Sequence, residues 1–108
     1  MNNLPEADWK SLRRLKEPML DELSTRINLE VQECLALRTL SANEKRSRIF
    51  EIVTGRNEIV AICFDDWRRS QFMRICIALV QHQLLRAEHV KEFTTETQTK
   101  IEDDLKEL

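Results

Sequence analysis

Apolar residues recur at threes and fours along most of this chain, with charged residues between them. Met19, Leu20, Leu23, Ile27, Val31, Cys34, Leu35 and Leu37 keep that spacing, the stripe of one amphipathic helix from about Met19 to Leu40. Asp21, Glu22, Arg26, Glu30 and Glu33 fill its other face. Upstream, Trp9, Leu12 and Leu15, with Leu4 before them, predict a short helix over 6–16. Pro5 suits its first turn, and Lys16-Glu17-Pro18 closes it, because the residue before a proline avoids the α region.

Ser41-Ala42-Asn43-Glu44 reads as a capping box, serine at the N-cap and glutamate three residues later. A helix follows through Ile49, Phe50, Ile52 and Val53, and Thr54-Gly55 is the expected stop. Asn57 then caps a further helix, Glu58 to about Asp65, whose centre IVAICF is apolar nearly all round. A strand is the rival reading of those six residues, but nothing else in the chain could pair with it. Gln71–Leu85 is the most apolar segment and predicts the central helix. A short helix over Ala87–Phe93 follows, and Thr94 and Thr95 with Gln98 open a polar helix over about 95–107. With only Ile101, Leu105 and Leu108 apolar, this tail is expected at the periphery, with an end that frays.

The reading is all-α: a compact single-domain bundle of six to seven helices across 1–108, with about 95–108 a peripheral polar helix. Neither a repeat nor a Gly/Ser linker divides the chain. The expected core is Leu23, Ile27, Val31, Leu35, Phe50, Ile52, Ile59, Ile62, Phe64, Phe72, Ile75, Leu79 and Val80. Composition points the same way, since one Gly, two Pro and no Tyr in 108 residues supply too few turns for a small sheet protein.

Charge narrows the function classes. Seventeen basic residues against nineteen acidic give a net charge of −2, without the basic excess of a nucleic-acid or anionic-membrane binder. Only the middle of the chain leans basic, with six basic and five acidic residues over 41–70. Cys34, Cys63 and Cys76 each lie in an apolar stretch and are an odd number, which reads as reduced core thiols of a cytoplasmic protein. Leu4-Pro5-Glu6-Ala7-Asp8 has no apolar leader pattern, and the longest apolar runs are far shorter than a membrane span.

Two segments are the candidate sites. FDDWRRSQF, 64–72, sets Asp65, Asp66, Trp67, Arg68 and Arg69 between the two most apolar stretches. It is either a structural corner, with Asp65, Asp66 or Ser70 capping the next helix, or a partner-binding edge, since Trp beside Arg is the composition of an interface hot spot, with a phosphate or carboxylate site on the arginines as a third reading. Arginine in the first turn of a helix opposes the macrodipole, so a cap at Ser70, or one unbroken helix through the corner, removes a conflict. The second segment carries Lys45, Arg46 and Arg48, which with Arg56, Arg68 and Arg69 form a candidate basic face if the two stretches adjoin.

Other chemistry is thin. Cys76, His82 and His89 are spaced C-x5-H-x6-H, without the tight pairs of a zinc site, so neither a metal nor a cofactor is expected. Cys76 and His82 lie about 120° apart on one helix and cannot meet as nucleophile and base. A phosphate loop, a nucleophile elbow and a metalloprotease helix are all missing, so no enzyme is predicted. The segment LLRAEHVKEFTTETQTKIEDDL has the outline of a helix-turn-helix, but its second helix carries Glu96, Glu102, Asp103, Asp104 and Glu107, which would repel phosphates.

The expectation is therefore a small cytosolic protein–protein interaction module: adaptor, regulator or assembly subunit. A homodimer is compatible with the two very apolar helices. A DNA-binding regulator is the alternative, and a ligand carrier or enzyme with a cavity in the bundle comes third.

Overall fold

A computed structural model describes residues 4–108. Five α-helices and one 3-10 turn make the fold: α1 (Glu6–Leu35), α2 (Ala42–Phe64), the turn Arg69–Gln71, α3 (Phe72–Gln81), α4 (Ala87–Val90) and α5 (Thr95–Lys106). The all-α class holds, and no strand occurs among the described residues. The count of six to seven helices is corrected to five, because two expected boundaries do not exist.

The first is at Pro18, which lies inside α1 rather than after a helix. An internal proline costs a helix about 3 kcal/mol through its missing N–H and its ring. Pro18 is on the exposed side, so the orphaned carbonyl of the preceding turn can meet water. Against that cost, Leu12, Met19 and Leu23 are all buried along the opposite side of the one continuous helix, each contributing about 1.5–3 kcal/mol. The second is at Gly55, where α2 continues without a break and the glycine has no left-handed φ. Ile49, Ile52, Ile59 and Cys63 lie on one line of α2 through Gly55, and the packing of that line overrides the glycine's propensity. The capping box at Ser41 forms as expected, with Ser41 Oγ accepting from Glu44 N–H at 3.1 Å and Glu44 Oε1 accepting from Ser41 N–H at 2.8 Å.

α1 and α2 form an antiparallel hairpin, and α1 alone is about 45 Å long at 1.5 Å per residue. The described residues extend 54 × 25 × 24 Å. α3, α4 and α5 pack only near the open end of the hairpin, around Leu12, Met19, Cys63, Phe72, Ile75, Leu79, Leu84 and Ile101, all buried. The outer half of the hairpin has two helices and no third layer. That is why two expected core residues are exposed, Leu35 at 54% and Phe50 at 69%; a third, Ile62 at 51%, lies at the base of α2 on the rim of a groove beside α3 and the end of α5. Ile27, Val31, Ile52, Ile59 and Val80 are half-buried, while Leu23, Phe64, Phe72, Ile75 and Leu79 are buried as expected.

α3 is shorter than the expected central helix and ends at Gln81, with Gln83 in the left-handed region at φ 59°. The chain turns there, and Leu84 and Leu85 fold back so that both N–H groups donate to Leu79 O, at 2.8 and 3.1 Å. Arg26, reaching across from α1, donates to His82 O at 2.8 Å and Gln83 O at 2.9 Å. Arg86 and Arg26 both pair with Glu22, which holds that carboxyl below the usual range.

The tail helix is fixed by one buried carboxylate. Asp8, 1% exposed, accepts the Thr94 N–H on Oδ1 at 2.9 Å. Its Oδ2 accepts the hydroxyls of Thr94 at 2.8 Å and Thr97 at 2.5 Å. Thr94 is itself the N-cap of α5, and the positive end of the α5 dipole faces the carboxylate. Ile101 and Thr97 then bury the inner face of α5, at 2% and 1% exposure.

Nothing lies within 4 Å of the position a Cβ would take at Gly55. Gly55→Ala should therefore stabilise the protein by about 0.5–1 kcal/mol, read as a higher urea midpoint at unchanged slope. A lower midpoint would mean that α2 must bend at Gly55 for its packing.

Candidate functional site

The corner 64–72 is built from bonds that close on the protein itself. Asp65 is the C-cap of α2, and Asp66 takes the left-handed region at φ 55° to turn the chain. Arg68 pairs with Asp66 at 2.5 Å, holding that carboxyl below its usual range. Arg69 pairs with Glu6 and donates to Leu4 O at 2.7 Å, tying the start of α1 to the corner. Neither arginine enters α3, which starts at Phe72 behind the 3-10 turn. The conflict with the helix dipole is thereby avoided, although the N-cap of α3 is Gln71 and neither Asp66 nor Ser70.

Trp67 is half-buried and lies parallel on Phe64, with ring centroids 5.8 Å apart and an 8° interplanar angle. Trp9 is 6.4 Å away, and Lys16 Nζ sits 5.3 Å from the Trp67 ring centroid. The indole N–H of Trp67 is buried without an acceptor. Arg74, which carries no weight in the sequence pattern, is the residue that closes the corner. Its guanidinium donates to Ile62 O at 3.0 Å, Asp65 O at 3.2 Å and Asp66 O at 3.4 Å, satisfying the last carbonyls of α2.

The candidate basic face does not assemble as one surface. Lys45 and Arg46 lie at the far end of α2 from Arg68 and Arg69, about 30 Å away along the helix. Lys45 Nζ donates to Leu35 O at 2.8 Å, capping the C-terminus of α1, and Arg46 donates to Asn43 Oδ1 at 3.1 Å. Arg56 makes a bidentate pair with Glu30, at 2.8 and 2.9 Å, which lowers the Glu30 carboxyl and raises the guanidinium. Arg48 remains exposed at the tip.

No group of three or more His, Cys, Asp or Glu suited to a metal occurs among the described residues. His89 Nδ1 accepts the Arg86 N–H at 2.9 Å and so caps α4. α4 is a single turn, and α5 exposes Glu96, Glu102, Asp103, Asp104 and Glu107, so the helix-turn-helix outline lacks both a full first helix and a basic surface. A groove of about 720 Å³ runs between Ile62, Met73, Ile77, Arg74 and the end of α5, but it is bordered by exposed Ile62 and Leu108 rather than closed. No described helix is long and apolar enough to cross a membrane.

What stays open is one side of the outer hairpin. On α1, Ser24, Asn28, Val31 and Leu35 fall within an arc of about 60°. On α2, Phe50, Val53, Asn57 and Val60 fall within about 80°. The helices run antiparallel with their seams facing, and both arcs turn away from the seam in the same sense, so they share one side. Arg26 and Glu22, which the α3–α4 turn covers, lie about 170° around α1 from this side. No charged residue lies within either set of four, and Phe50, Leu35 and Val53 are 69%, 54% and 39% exposed.

Cys63 is fully buried, and desolvation pushes it up to about 11; burial raises Cys76 further still. At pH 8 in native buffer, an aromatic disulfide reagent should label Cys63 and Cys76 only at the rate of global unfolding. Labelling within seconds would reopen thiol chemistry. No protein family, curated protein or solved structure matches the chain.

Proposed function

We propose that this chain is a small protein–protein interaction module, an adaptor, regulator or assembly subunit, whose contact surface is the open side of the α1–α2 hairpin. The observation that carries the reading is Phe50, an aromatic residue 69% exposed within α2, with exposed Val53 one turn on and exposed Leu35 at the end of α1. Single exposed apolar residues are ordinary, but a contiguous set rimmed by polar groups marks an interaction surface. Aromatic enrichment with charge depletion is also the composition of an interface centre.

The corner is the weaker place for that contact. Asp66, Arg68 and Arg69 spend their charges on one another, on Glu6 and on the backbone, and Trp67 is held between Phe64 and Lys16. A reducing compartment such as the cytoplasm suits the chain, because Cys34, Cys63 and Cys76 are all unbridged thiols.

The test is recovery from an extract of the source cells, comparing wild type with Phe50→Asp/Val53→Asp and with Arg68→Glu/Arg69→Glu. All three proteins are first matched for thermal stability. The hairpin variant should lose at least about tenfold of a specific partner, an anchor pair being worth more than about 1.4 kcal/mol. The corner variant should retain it. Loss from the corner variant alone would move the interface to 64–72, and equal recovery by all three would contradict the reading.

A further inference from the structure

A groove crosses the base of the molecule on the side of α3 turned away from the core. Phe72, Ile75, Cys76 and Leu79 of α3 are fully buried in the body. Met73, Ile77 and Gln81 lie about 150° around the helix from them. With Ala78 they floor a cleft of about 720 Å³. Exposed Ile62, near the end of α2, forms one wall, and the last turn of α5 forms the other. Thr97, Ile101 and Asp104 fall on one line of α5, at i, i+4 and i+7. The first two are buried against the body, but Asp104 is exposed and lines the groove, as does Leu108 beyond it at 74% exposure.

The groove is electronegative. Asp104 and Glu107 are exposed in its lining, and neither forms an ion pair among the described residues. The ion pair within α5 joins Lys100 to Glu96, nearer its start, and Lys106 lies about 160° around the helix from Asp104. The negative end of the α5 dipole adds to the two carboxylates. Arg74 is the cation in the lining. Its Nε donates to Gln71 Oε1 at 2.7 Å, and its terminal nitrogens donate to the carbonyls of Ile62, Asp65 and Asp66. That charge is thus set against the negative end of α2.

We propose that this groove docks an amphipathic helix of a partner protein. Two turns of that helix bury an apolar stripe on Met73, Ile77 and Ile62, while lysine or arginine on its flank meets Asp104 and Glu107. Met73 to Gln81 spans about 12 Å, the length of two helical turns. The walls are helices, whose backbone groups are bonded within themselves, so the groove has no sheet edge to pair with an extended peptide. A third helix can set its ridges between two others, and its anchors then recur at i, i+3, i+4 and i+7. The carboxylates choose the sign of the flank, since an acidic helix would meet like charge. The site is separate from the open hairpin side, Ile62 lying about 18 Å along α2 from Phe50, and it does not rest on that reading.

Three synthetic peptides of equal length test this on the full chain. Each carries leucine at i, i+3, i+4 and i+7, with lysine, glutamine or glutamate at the flanking positions. Fluorescence anisotropy should rank them lysine over glutamine over glutamate, the first two at least about tenfold apart, with the gap closing as salt is added. Asp104→Lys/Glu107→Lys should reverse that order. Glu102→Lys/Asp103→Lys, the same change of charge outside the groove, should keep it, and so should Phe50→Asp/Val53→Asp. Ile62→Gln, at a position exposed enough to leave the fold intact, should weaken the lysine peptide severalfold. No binding of the lysine peptide up to about 1 mM overturns the proposal, and so does equal binding of all three. So does an order that the two α5 charge variants shift alike, which would mean general charge attraction, or one lost with Phe50→Asp/Val53→Asp, which would move the helix to the hairpin. Octyltrimethylammonium binding where the lysine peptide does not would replace the helix with a small apolar cation. Self-association of wild type that Asp104→Lys/Glu107→Lys abolishes would replace it with a second copy.

Discussion

The carboxylate of Asp8 is the constraint from which the arrangement of the body follows. It is buried in α1 between Leu4 and Leu12, one turn on each side. Three hydrogen bonds from the first turn of α5 are what make that burial tolerable. Each bond to a charged group is worth about 1.5–3 kcal/mol, and an unmatched buried carboxylate would cost more than any one of them returns. The first turn of α5 is therefore obliged to sit against the start of α1, 86 residues away in sequence. Ile101 follows it into the core, and Phe93 meets Phe72 edge to face at 5.6 Å. A helix with few apolar residues is thus held by polar chemistry rather than by area.

The other contacts of the body have the same character. Arginines from one segment satisfy the helix ends of another: Arg26 at the end of α3, Arg74 at the end of α2 and Arg69 at the start of α1. These bonds consume the cations that might otherwise face a ligand. The outer hairpin has its own seam, where Cys34 bonds Lys45 and Glu30 pairs with Arg56, while Leu35, Phe50 and Val53 on its other stripe are exposed. Body and arm thus differ in how they are held, the body by polar closure between segments and the arm by its own two-helix seam.

Features that depend on neighbouring residues were legible in the sequence. The Ser41 capping box, the Thr94 cap and the all-α class are of that kind. Pro18 and Gly55 misled because each is a local signal of about 1–3 kcal/mol, and burial along a 20-residue face outweighs it. Leu35, Phe50 and Ile62 misled for a different reason. Periodicity shows that a helix has an apolar side, but α2 has apolar residues on more than one side, and only the tertiary fold decides which is covered. Arg26 and Arg74 were invisible as caps because their acceptors come from other segments. Asp8 did leave a trace: an acid four residues after Leu4 and four before Leu12, on the line of an otherwise apolar stripe. The segment 64–72 joins α2 to α3, and Phe50, which the sequence assigned to the core, is instead exposed on the open side of the hairpin.

The central claim is that the body depends on Asp8 while the outer hairpin stands apart from it. Hydrogen exchange on wild type and Asp8→Ala, at a concentration that keeps both monomeric, tests it most directly. The account predicts that amides of α5 and of the 84–94 connection lose protection in the variant, by about two decades in rate for a loss of about 3 kcal/mol. Amides of 46–56 should exchange alike in both proteins. Unchanged protection in α5, or an equal loss across 46–56, would contradict the division between a locked body and an independent arm.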